Sequence, residues 1–258
     1  MWDLLQAAMI GLVAGYLSGQ FGVGGGIVTT PAIRLLLDRP ELVAVGTPLP
    51  VIIPTAVAGA IAYARRGLID LRVGVSVGII GAGFAVLGAW ATQLVGGRVV
   101  LLVTAGLIAW MAVDMALLAL TSTASADARK ARAARSASPL KVALLGVGAG
   151  LYSGFLGLGG GFVVVPVLVR HFGFDMKRAI GTSLVVVSIL AVPGSITHYL
   201  LGNVEVGLAL GLALGVVPGA LLGSHVTVRA QEKSVRLAFA GFLAAVGAVL
   251  ALSELGVF

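Results

Sequence analysis

Two glycine clusters carry most of the chemistry this sequence can do. Gly22, Gly24, Gly25 and Gly26 form the first, and Gly157, Gly159, Gly160 and Gly161 the second. Each interrupts an apolar stretch, so the helix that restarts at about Gly26 or Gly161 aims unpaired N–H groups and a positive dipole end at the break. Glycine also lets a ligand approach the backbone closely. Ser18, Gln20, Thr29, Thr30 and Ser153 lie nearby as neutral hydrogen-bond donors, and neither cluster contains an acidic residue. That donor set predicts a compact anion as the guest and argues against strong cation coordination. As nucleotide motifs the clusters fail: Gly22 and Gly24 lack the final glycine of the dinucleotide fingerprint, and no Gly-Lys-Ser/Thr follows either copy. The upstream Gly11, Gly15 and Gly19 have the spacing of close helix packing, whereas the density at Gly22–Gly26 exceeds what packing requires.

Other reactive groups are few. With no cysteine, three histidines, no His-Glu-x-x-His and no paired acids, the chain offers neither a nucleophile–base pair nor a metal cluster. The expectation is therefore no enzyme, no metal and no cofactor. Asp114 is the only acid well inside an apolar span. It is a candidate for carrying a coupling proton, with snorkelling or capping near the end of its span as the plainer role. His198 follows Pro193-Gly194, Ser195 and Thr197, and is a candidate pocket residue; His171 and His225 lie near span ends and read as interfacial.

These groups must be positioned by membrane helices. The chain is 59% hydrophobic and 10% charged, with a mean hydropathy of +1.10, which lies outside the soluble range. Apolar stretches long enough to span a bilayer are predicted at about 43–63, 73–95, 99–120, 178–201, 206–228 and 235–256. The first apolar segment runs into glycine without a cleavage site and reads as mature protein. The net charge of +7 sits in short loops, where it sets topology, so no nucleic-acid partner is expected.

Sliding the sequence by 135 positions places Gly11 on Gly146, Gly15 on Gly150, Ser18 on Ser153, the first glycine cluster on the second, Pro31 on Pro166 and Gly46-Thr47 on Gly181-Thr182, without a gap. The chain reads as a duplication: a first membrane repeat over 1–120, a basic linker over 121–140 and a second membrane repeat over 141–258. The 34 residues from Leu4 to Leu37 are too long for one straight span, about 50 Å as a helix. If the glycine break still crosses the membrane, the Lys and Arg residues divide eight against nine. If the break is re-entrant, Arg34, Arg39 and Arg98 oppose the other fourteen of the seventeen. The positive-inside rule chooses the second. The predicted fold is an all-α polytopic membrane protein of two inverted repeats, each a re-entrant broken-helix hairpin plus three transmembrane helices, about eight membrane segments. The linker is then cytoplasmic and both termini are outside. Hairpin tips entering from opposite sides would meet near the midplane and form the site.

The segments 15–26 with Pro31 and 150–161 with Pro166, together with the Ala-x-Gly-Thr elements ending at Thr47 and Thr182, resemble the sulfite exporter TauE/SafE family over the whole chain. The resemblance implies transport of sulfite or organosulfonates, in either direction, across the bacterial cytoplasmic (inner) membrane. Carried over residue by residue, the site would comprise both glycine clusters, Ser18, Ser153, Thr47, Thr182 and Ser183. Pro48 stands opposite Ser183 in the first copy, which predicts an asymmetric pocket. The rival reading is an anion-selective channel or a carrier of another small organic anion.

Overall fold

A computed structural model describes residues 2–95, 97–121, 138–157 and 159–254. The linker cations Arg129, Lys130, Arg132 and Arg135 lie outside the described residues. The described residues hold eleven helices and no strand. α1 (Trp2–Phe21) is followed across the glycine turn by α2 (Gly26–Leu36); a short α3 (Glu41–Gly46) runs into α4 (Pro48–Ala64), and then come α5 (Leu71–Val95) and α6 (Gly97–Thr121). The same order returns in α7 (Pro139–Leu156), α8 (Gly161–His171), α9 (Met176–Leu200), α10 (Val206–Arg229) and α11 (Glu232–Glu254). The one departure has a covalent cause. Pro48 and Pro50 lack the N–H groups that would bond back across the α3–α4 junction, so the helix is interrupted there. Ser183, at the equivalent position, lets α9 run unbroken for 25 residues.

Six segments are long and apolar enough to cross a membrane: α1, α3–α4, α5, α7, α9 and α10. The expected spans at 43–63, 73–95, 178–201 and 206–228 fall on four of them, and α1 and α7 are two more. α1 and α7 qualify because each is uninterrupted over 20 and 18 residues; the glycine turns fall after the apolar run has already reached spanning length, not in its middle. The expected spans at 99–120 and 235–256 are helical as α6 and α11. α11 opens on Glu232, Lys233 and Arg236.

Small residues decide which helices touch. A Cβ at Gly11, Gly15 or Gly19 of α1 would come within 2.2, 2.2 and 2.1 Å of the carbonyl oxygens of Leu212, Val216 and Ala220. α1 therefore lies backbone to backbone on α10, and the matched register makes the two parallel. In the same way Gly150 and Gly154 of α7 meet Gly81 and Ala85 of α5. The remaining large contacts join α6 with α11 and α4 and α5 with α9. Each long helix before the linker thus packs chiefly on one after it, and both share one core. Phe21 illustrates this, stacked on Phe242 at 4.9 Å between ring centroids and edge-on to Phe239 at 5.7 Å. The perimeter is apolar, with Ile79, Trp90, Trp110, Leu214 and Leu222 exposed, as expected where the solvent is lipid.

Candidate functional site at the paired glycine turns

The helix restarts depend on backbone that only glycine adopts without strain. Gly25 (φ +88°) caps α2 and Gly160 (φ +71°) caps α8, both left-handed, and no side chain caps either helix. The first N–H groups of α2 and α8 therefore face the turns without a side-chain acceptor. Proximity between the two turns is direct. A Cβ on Gly161 would stand 2.3 Å from the Gly22 oxygen, and Ile52 and Val187 pack over both Gly24 and Gly159. Ser183 Oγ donates to the Gly22 oxygen at 2.9 Å and lies 3.5 Å from the Gly161 oxygen.

Beside each turn stands a serine. The place of a Gly25 Cβ is 3.8 Å from the Ser18 Cβ and 3.8 Å from the Thr55 methyl; that of a Gly160 Cβ is 3.5 Å from the Ser153 Cβ. Ser18 and Ser153 are fully buried, and neither hydroxyl has a hydrogen-bond partner. Thr30 is a third such hydroxyl, whereas Thr29 donates to the Gly25 oxygen at 3.2 Å and Thr55 to the Val51 oxygen at 2.6 Å. A buried hydroxyl without a partner is destabilising, and two of these three stand 135 positions apart in the chain, each beside a glycine turn. Together with two bare helix N-termini and no acidic residue in either turn, the donors can serve a compact anion. A cavity of about 300 Å³ runs between α7 and α8, from Lys141 and His171 inward to Ala149 and Val163; the Ala149 oxygen is 3.0 Å from the place of a Gly160 Cβ.

The remaining sequence candidates lie elsewhere. Gln20 is on the α10 side of α1, where its carbonyl accepts from Thr227 Oγ1 at 3.0 Å. Thr47 Oγ1 accepts the N–H of Glu205 at 3.1 Å, and Thr182 Oγ1 that of Asp70 at 2.9 Å. These two threonines fasten the loop before α10 and the loop before α5. His198 Nε2 donates to the Gly154 oxygen at 3.0 Å, since a carbonyl can only accept, and its Nδ1 faces Asn203 Nδ2 at 3.2 Å. Tyr63, its equivalent, donates to the Gly19 oxygen at 3.0 Å, so the pair ties down the last turns of α7 and α1. Asp114 is ion-paired with Arg170 of α8. Sequence reasoning did not find Ile52 and Val187, the apolar cover over both turns, because an apolar residue in a membrane helix carries no distinguishing signal.

Comparison with known proteins adds a family. Residues 7–250 match the family described as Sulfite exporter TauE/SafE. The chain is 28% identical to the probable membrane transporter protein YunE of Bacillus subtilis, over 88% of this chain and 89% of that one. It is also 28% identical to a probable membrane transporter protein of Haemophilus influenzae, over 93% and 95%, and 24% identical to the probable membrane transporter protein MJ0441 of Methanocaldococcus jannaschii, over 95% and 94%. No solved structure matches the chain.

Proposed function

The chain belongs to the sulfite exporter TauE/SafE family, a family of membrane transporters, and from that premise we propose that it is a secondary transporter carrying a small sulfur oxyanion, sulfite or an organosulfonate, across the cytoplasmic membrane. The anion binds beside the glycine turns. Its oxygens accept from the first N–H groups of α2 and α8 and from the Ser18 and Ser153 hydroxyls. The single observation that carries this reading is the pair of equivalent buried serines without partners, each next to an uncapped helix N-terminus. The cavity between α7 and α8 is the route to the second turn, with Lys141 and His171 at its mouth. Ile52 and Val187 close the turns and must shift for a ligand to enter.

The fold reading that accompanies this function is two inverted repeats with re-entrant hairpins, 1–120 and 141–258, joined by a cytoplasmic linker. Two pairs of contacts support the return of each hairpin to its starting side. Leu4 and Ala7 of α1 reach Gly211 near the start of α10, and Arg39, just past α2, pairs with Glu205 at 3.1 Å beside that same start. Lys141 at the start of α7 and His171 at the end of α8 line one cavity.

The test is flux of sulfite and a panel of sulfonates into proteoliposomes, comparing wild type with Gly25→Val and Gly160→Val proteins at matched abundance. Saturable, counter-ion-dependent flux lost in both variants is the expected result. Flux that survives both removes the site; unsaturable flux makes the protein a channel; and no flux of any sulfur oxyanion removes the substrate class.

A further inference from the structure

Between the last turn of α4 and the last turns of α10 lies a cavity of about 290 Å³ of a different character. Arg65, Arg66, His225 and Ser224 supply its polar side, and Ala62 and Leu221 its apolar floor. Arg34, Arg39, Arg170, Arg178 and Arg236 each hold a carboxylate. Like Arg72 and Arg229, Arg65 and Arg66 hold no carboxylate among the described residues, but these two line one cavity together. Both side chains are exposed, so each is accessible to a ligand, and the planar fork of arginine matches phosphate oxygens in pairs.

The surroundings identify the kind of anion. Ile61, Leu222 and Val226, which flank the cavity, are 46%, 59% and 43% exposed. They belong to the apolar perimeter, so the cavity opens toward hydrocarbon as well as toward the interface. A free anion would use only the guanidiniums. An occupant that uses both sides carries its charge and its hydrocarbon in one molecule. We propose that this cavity is a binding site for an anionic phospholipid, with its phosphodiester held by Arg65 and Arg66 and its acyl chains lying along Leu221 and Leu222. The site is separate from the transport pathway and stands whether or not the sulfur-oxyanion reading does.

The measurement is native mass spectrometry of the purified full chain, delipidated in detergent and titrated with phosphatidylglycerol or with phosphatidylcholine of the same acyl chains. Arg65→Gln/Arg66→Gln is compared with Arg72→Gln/Arg229→Gln, a pair of equally basic residues that do not line the cavity. Removing two arginines from an anionic-lipid site weakens binding about thirtyfold. The expected result is that loss for phosphatidylglycerol in the first pair alone, with phosphatidylcholine unchanged in both. Arg65→Lys/Arg66→Lys, which keeps the charge but not the fork, falls between and guards against a folding defect. Unchanged phosphatidylglycerol affinity in Arg65→Gln/Arg66→Gln overturns the site. So does an equal loss in the control pair, which is diffuse surface charge, and so does displacement of the lipid by excess inorganic phosphate, which marks a soluble-anion site.

Discussion

Replacing Ser18 or Ser153 by alanine should stabilise the empty protein and weaken its hold on substrate. Both hydroxyls are fully buried and unpartnered. A buried hydroxyl without a bond is destabilising by about 1–3 kcal/mol, and side-chain hydrogen bonds inside membrane proteins run nearer the low end of such scales. Removing one oxygen leaves little cavity, so each substitution should raise stability by about 0.5–1.5 kcal/mol, or roughly 1–6 °C in Tm for a chain of this size. With an anion bound, the same hydroxyl donates a charge-assisted bond worth about 1.5–3 kcal/mol, so its loss should raise KM about tenfold to a hundredfold. The assay pairs thermal unfolding of purified protein, with and without saturating sulfite, with initial rates of flux in proteoliposomes. The ligand-induced gain in Tm should shrink in each variant while the ligand-free Tm rises. A lower ligand-free Tm in both variants would refute the claim that these hydroxyls lack partners. A raised Tm with unchanged KM would refute their contact with substrate.

Two further outcomes follow from the same contacts. Gly154→Ala would put a Cβ 1.8 Å from the Ala85 backbone oxygen, forcing α7 off α5 and lowering stability by about 1–3 kcal/mol or more. Gly148→Ala, in the same helix with nothing within 4 Å, should be neutral or slightly stabilising, and equal effects in the two unfolding curves would contradict the packing described. Asp114→Asn, which releases Arg170, is expected to leave the dependence of flux on the proton gradient intact, as for an anchoring ion pair. Loss of that dependence, with uptake down a substrate gradient preserved, would make Asp114 the coupling group.

What could be read ahead of the structure was whatever repeats or breaks a rule. The offset of 135 located both turns, because a glycine cluster in an apolar run is a local signal. It also aligned His198 with Tyr63, which prove to do one job on equivalent carbonyls. Partners that belong to distant segments were not legible. Gly11, Gly15 and Gly19 announce a close neighbour but cannot name α10. Thr47 and Thr182 entered the site through resemblance, whereas their hydroxyls accept N–H groups more than a hundred residues away. Asp114 was conspicuous as a lone acid because Arg170 is remote in the chain.

The cross-packing of α1 on α10 also has a consequence for biogenesis. α1 leaves the ribosome well before α10, and its contact surface is completed only when residue 229, the end of α10, has been made. At about 5–20 residues per second, that interval is roughly 10–40 s. Throughout it, a stripe of Gly11, Gly15 and Gly19 must wait in lipid without its neighbour, and small side chains are well suited to the wait because they present little for other segments to grip. The contacts that hold α1 are thus made only after most of the chain has been synthesised.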